Sequence, residues 1–227
     1  QLQLAKKEYT VVIILLIEIA LIASKFLVPK VFNTIVNSDG IVLTDKVFPL
    51  EMKNGVSIPP SIKNMVKNVN YGVSCWLYIH PVPTNTNEAY IQNTSLINCG
   101  NVPDIQFNAE KGTLIFSVDV TSSNGGKRTV IVPDKKTKRD VKIIYSRWNN
   151  VFVNFIEGGM DIFLNGDLVI SEPNIIPYQN PNGVIVGSSP GIYGEMSNLV
   201  YYKTPVLAQN IKLMYDSMKD MNPPVTV

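Results

Sequence analysis

The sequence predicts a mainly β sandwich or jelly roll, with one apolar helix before it and one short amphipathic helix at its end. Three observations carry that reading. From Tyr71 onward apolar residues recur with a period of two: Val73, Cys75, Leu77 and Ile79 fall on one side, and Ser74, Trp76 and Tyr78 on the other. Turn chemistry separates the runs, at Asn124-Gly125-Gly126, Gly158-Gly159, Asn165-Gly166 and Asn182-Gly183. And residues 9–28 read YTVVIILLIEIALIASKFLV, an apolar run without a polar face.

Taken in order, the chain divides into a flank over 1–8, a transmembrane helix over 9–28, a stalk with the first strand over 29–70, a jelly-roll domain over 71–218, and a tail over 219–227. At about 1.5 Å per residue the apolar run is long enough for a hydrocarbon core of about 30 Å. Thr10, Ile14, Glu18, Leu21 and Phe26 mark the expected anchor, and basic residues flank both ends. Glu18 costs roughly 3 kcal/mol near a bilayer centre, which the surrounding Val, Ile and Leu residues offset. Its carboxyl is either a functional group inside the membrane or a single tolerated charge. The expected partner of this segment is a lipid bilayer.

Within the stalk, Asn37-Ser38-Asp39-Gly40 signals a turn before a strand-like run over 41–48. Further strands are expected over 89–99, 113–120, 128–132, 141–145, 148–156, 160–164, 168–171, 183–187 and 192–202. Asn165-Gly166 is the clearest hairpin, because both residues accept a positive φ. Leu207, Ile211, Tyr215 and Met218 form a helical stripe with Met214 beside it; Thr204 is the expected cap and Pro205 fits the first turn. Many short strands at this spacing define a sandwich or jelly roll.

Composition narrows the function. Hydrophobic residues make up 45% and charged residues 17%, and the net charge is +2, too small to imply nucleic acid. Two cysteines, Cys75 and Cys99, and one histidine, His80, leave no ligand set for a protein zinc site. His80 lacks a visible catalytic partner. No catalytic residue, metal site or cofactor is expected, and the chain reads as a non-enzyme. The thiols are expected to be free, behaving as small hydrophobes, although a bridge across a hairpin is geometrically conceivable. Trp76 and Trp148 are expected in the core rather than as sugar platforms. Of Tyr201 and Tyr202, one is expected to be exposed. Residues 127–142 gather seven basic side chains against two aspartates. This is a solvated hairpin tip, or a patch toward acidic partners in which Lys135, Lys136, Lys138 and Arg139 are the candidate contacts.

A strand with Trp148 (SRWNNVFVNF), the hairpin MDIFLNGDLV, the run VIVGSS, then GIYGEMSNLVYY and a short helix ending near Tyr215 follow one another in an order that resembles the concanavalin A-like, laminin-G-type jelly roll. The opening YGVSCWLYI and the closing KDMNPPV resemble the membrane-anchored lectin/glucanase-superfamily proteins of nucleocytoplasmic large DNA viruses. That resemblance implies a concanavalin A-like sandwich in a minor capsid protein, held in the virion membrane by a single pass, with its partners among capsid or other virion proteins. Glycan is the alternative partner. The glucanases of the superfamily carry alternating acids on one strand, and this chain departs from that pattern. Its nearest acidic pair, Glu157 and Asp161, flanks a Gly-Gly turn.

Overall fold

The computed structural model describes residues 12–24, 40–57, 69–122, 125–133, 140–178 and 183–225. The chain separates into two units, Gln1–Ser38 and Asp39–Val227.

In the first unit, residues 12–24 are helical, and the side chains of Ile14, Glu18 and Leu21 are exposed. At about 1.5 Å per residue the described residues of this helix span about 20 Å, against the roughly 30 Å of a hydrocarbon core. Among the described residues, no helix is long and apolar enough to cross a membrane. The expected single-pass anchor, and the virion-membrane location built on it, are therefore corrected. Thr10 and Phe26 lie outside the described residues.

The second unit is a two-layer β-sandwich. Among the described residues, two seven-stranded antiparallel sheets are formed. The first, sheet A, runs β1 (Gly40–Thr44), β14 (Gly194–Tyr202), β4 (Tyr71–Ile79), β10 (Trp148–Ile156), β11 (Gly159–Leu164) and β12 (Asp167–Pro173), with β2 (Phe48–Pro49) beside β14. The second, sheet B, runs β3 (Asn54–Val56), β13 (Val184–Val186), β5 (Asn93–Cys99), β6 (Asp104–Asn108), β7 (Thr113–Thr121) and β8 (Lys127–Val132), with β9 (Val141–Lys142) beside β7. Neighbours in sheet A are far apart in sequence, as in the pair β4 and β14, which is the mark of a jelly-roll-like path.

The core lies between the sheets. Val73, Cys75, Leu77 and Ile79 of β4 and Val151, Val153 and Phe155 of β10 meet Leu96, Ile105, Phe107, Leu114 and Phe116 of sheet B. Each such side chain contributes about 1.5–3 kcal/mol on burial. Strand β10 follows the expected boundaries, and its hairpin to β11 and β12 is the one read from sequence. Asn165 and Gly166 take φ of 54° and 80°, the positive values a tight Asn-Gly turn requires. At the preceding hairpin the positive values fall on Glu157 and Gly158, one position earlier than the Gly-Gly pair suggests.

Other expectations change. The stretch read as a stalk with one strand supplies β1, β2 and β3, and β1 pairs with β14 from Gly40↔Tyr202 onward. Strand β6 went unseen because DIQFN between two turns is too short for a period to stand out. The C-terminal helix is Ala208–Met218, with Leu207 at the N-cap and no side-chain cap, so Thr204 does not cap it. Tyr201 and Tyr202 are both covered: Tyr201 stacks on Tyr71 at 5.4 Å, while Tyr202 is buried with its hydroxyl 3.3 Å from the Met214 sulfur. Neither is exposed because both faces of sheet A are covered. Cys75 and Cys99 are free thiols on opposite sheets, not a hairpin pair. Burial pushes the Cys99 thiol up to about 12, with the charge of Asp104 adding to it; burial raises Cys75 further, with Cys99 adding. Both are thiols rather than thiolates at neutral pH.

Candidate functional site

The outer face of sheet A is closed. Trp76 of β4 and Trp148 of β10 point away from the main core and form a second cluster with Met218, against which Tyr78 and Tyr215 pack. Trp76 stacks on Tyr215 at 5.8 Å, and Trp148 Nε1 donates to Asn222 Oδ1 at 2.9 Å. Asn154 ties the chain before the helix to the sheet, donating from Nδ2 to the Val206 carbonyl at 2.7 Å and accepting from the Val206 N–H at 3.1 Å. Trp76 and Trp148 are 2% and 7% exposed, so they are core residues, as expected.

Sheet B presents a polar outer face. Asp104 accepts from Ser95 and from Gln106 Nε2, the latter at 2.7 Å. Asp119 accepts from Thr129 Oγ1 at 2.7 Å, and Lys127 Nζ stands 3.1 Å from its other oxygen. Burial raises the Asp104 pKa; the Asp119 charge adds to the rise, and the bonds from Gln106 and Ser95 oppose it. For Asp119, burial alone would raise the pKa, but the Thr129 and Lys127 bonds and the Lys127 charge outweigh it and the pKa falls. Both carboxylates are engaged within the sheet, Asp104 by hydrogen bonds and Asp119 by one hydrogen bond and the Lys127 ion pair.

The end of the sandwich where β4 leaves and β14 enters is different. Three loops converge there: the turn after β2, the segment between β4 and β5, and the segment before β14. Leu50 N–H donates to the Gly194 carbonyl at 2.9 Å, and Ser188 N–H to the Leu50 carbonyl at 3.2 Å. Asn87 Nδ2 donates to the Gly191 carbonyl at 3.2 Å, and Tyr193 N–H donates to the Tyr90 hydroxyl at 2.8 Å. His80 N–H closes the rim by donating to the Tyr193 carbonyl at 3.1 Å. Gly191 must be glycine here, since a Cβ would lie 2.1 Å from the Leu50 carbonyl oxygen.

On this braced rim the Tyr193 ring, 47% exposed, stacks on His80 at 4.2 Å with 23° between the planes. His80 meets Tyr78 edge-on at 5.0 Å, and Tyr78 meets Trp148 edge-on at 5.4 Å. The ring row thus runs from the rim down to the second core. Cross-strand register sets Glu195 beside Tyr78, with Pro49 on its other side. Met52 on the first of these loops and Val82 and Ile91 on the second stand exposed, Ile91 at 83%. His80 lies just past the end of β4, as a loop residue, and there it also supports an exposed ring. Sequence reasoning also passed over Tyr193, although a lone Tyr between Gly191 and Gly194, outside the alternation of β14, was the available signal.

The basic candidates Lys135, Lys136, Lys138 and Arg139 lie outside the described residues. Of their neighbours, Lys127 is engaged by Asp119, and Arg128 and Lys142 are exposed. Glu157 sits in a turn with φ of 49°, and Asp161 pairs with Asn154 and Ser171 along β11.

No family model matches this chain, and no curated protein matches it significantly. Solved structures do. The chain is similar to the receptor binding domain of botulinum neurotoxin C/D mosaic serotype, at 16% identity and a TM-score of 0.58, over 79% of this chain and 51% of that one. It is also similar to the binding domain of Paraclostridial Mosquitocidal Protein 1, at 14% identity and a TM-score of 0.54, over 78% of this chain and 47% of that one. The chain spans about half the length of these structures. At such identity the likeness shows the fold alone, a jelly-roll-like β-sandwich.

Proposed function

We propose that this chain is a non-catalytic docking domain, a structural protein of the minor-capsid kind that its sequence motifs resemble, and that it works by engaging other proteins of an assembly. The observation that carries this reading is the closure of sheet A. The C-terminal helix buries Trp76 and Trp148, so the broad aromatic face that a saccharide chain would lie across is not available. The acids support a non-enzyme, since Glu157 and Asp161 sit on a turn and a strand rather than facing each other across a cleft. The two similar toxin structures are binding domains, which agrees with a binding role here.

A glycan is the second reading, favoured by the Tyr193–His80 stack, because an exposed ring can receive the C–H face of a sugar. Chemical cross-linking of the native assembly, run beside a glycan array, separates the two. Cross-links from residues 40–225 to a second protein chain, with an empty array, are expected. A micromolar glycan ligand without protein cross-links would overturn the docking reading.

A further inference from the structure

The rim of Tyr193, His80 and Glu195 brings three features together: an open aromatic face, a carboxylate beside the same ring row, and aliphatic side chains left in water on adjoining loops. Tyr193 uses one face of its ring on His80, so its exposure is that of the other face and edge. Its backbone is fixed from both sides, by Tyr90 on the N–H and His80 on the carbonyl, so the ring is held in place before any ligand arrives. Glu51 and Glu88 stand on two of the loops and Glu195 at the start of β14, against Lys53, with Arg147 at the border. An aromatic face with carboxylates nearby attracts a cation, and Tyr is among the side chains that dominate protein interfaces.

We infer that this rim is the docking point for a protein partner that inserts a basic side chain, arginine or lysine, over the open face of Tyr193 and lays apolar side chains on Met52, Val82 and Ile91. The inference rests on the docking reading above and gives it a site. A saccharide fits the rim less well. Its hydroxyls would lose water against three aliphatic side chains that offer them no hydrogen bond. An apolar partner surface gains from the same three contacts. Glu195, half-buried and registered against Tyr78, is the carboxylate placed to meet the incoming charge.

The test pans a display library of random nonapeptides against the full-length chain and measures the recovered peptides by calorimetry. The expected peptides carry an arginine or lysine next to aliphatic or aromatic residues. Their affinity falls about tenfold or more in Tyr193→Ala, survives in Tyr193→Phe, and drops by a smaller factor in Glu195→Gln. Raising the ionic strength weakens binding to the parent chain more than to Glu195→Gln. Near-UV circular dichroism of each variant confirms the fold. Peptides without a basic residue, or an affinity indifferent to Tyr193→Ala, would overturn the inference, as would a library that enriches nothing. Oligosaccharide binding on an array that is lost in Tyr193→Ala would also overturn it and give the rim to a sugar. If cross-links reach a partner but map away from residues 50–53, 80–92 and 187–195, docking stands and the rim fails.

Discussion

Across the outer face of sheet A, Trp76, Trp148, Phe152 and Tyr202 lie buried under a helix; across the outer face of sheet B, Ser95 and Gln106 bond to Asp104 while Thr129 bonds to Asp119, in a polar array without such a cover. The same alternating backbone supports both. What differs is the cover, supplied by the C-terminal helix through Ile211, Met214 and Met218. A sheet face that is covered becomes a second core and contributes stability; one left open must satisfy its own polar groups. The rim at one end matches neither arrangement, and it carries the exposed Tyr193 ring.

The largest expected effect tests this contrast directly. Trp76→Ala should cost about 3–5 kcal/mol, since it empties the space between β4 and Tyr215. Gln106→Ala on the opposite sheet should cost about 1 kcal/mol, a single hydrogen bond to a buried acid. Equal losses by urea titration would dissolve the distinction between the faces. Gly166→Val comes next, at roughly 1–3 kcal/mol from the positive φ. Here a Cβ would also lie 2.9 Å from Lys212 Cδ and 3.1 Å from Tyr215 Cβ, so the damage should extend to the helix and appear in the near-UV spectrum. Asn154→Ala removes both bonds to Val206 and should cost about 1–3 kcal/mol, with faster amide exchange in the helix than in β6 and β7.

The smallest effect separates two acids on the open face. Asp119 has a lowered pKa, so its contribution is complete above the unfolded carboxylate range and is lost as the pH falls through the folded value. Asp104 has a raised pKa, so its penalty on the folded state builds as the pH climbs from the unfolded carboxylate range to the folded value, and acid relieves it. Asp119→Asn should therefore flatten the acid limb of the melting-temperature profile, and Asp104→Asn should steepen it. Parallel limbs for the two variants would show that these shifts do not govern the face.

Much of this fold was legible because β10, the Asn165-Gly166 hairpin and the inward residues of β4 obey local rules of period and turn chemistry. The helix stripe was legible too, but not its consequence. YGVSCWLYI alternates Val, Cys, Leu and Ile with Ser, Trp and Tyr, and only the helix that lands on Trp76 and the chain around it decides that the second set is also buried. The same distant event hides Tyr202 against Met214, while Tyr201 packs on the main core through Tyr71. At the N-terminus, hydropathy alone suggested a bilayer span, whereas the described helix covers residues 12–24 and is too short for one. The rim escaped notice for a related reason. Tyr193, His80 and Ile91 meet through loops whose pairing depends on long-range bonds such as that from Asn87 to Gly191, and no local pattern encodes it.

The central claim is that this sandwich works through its rim, and one measurement addresses it most directly. A photoreactive p-benzoylphenylalanine is placed at position 193 in one preparation and at position 106 in another, and each is irradiated in the native assembly. The account predicts an adduct with a second protein chain from position 193, attached next to a basic residue of that chain, and no adduct from position 106. Adducts from position 106 with none from position 193 would contradict it.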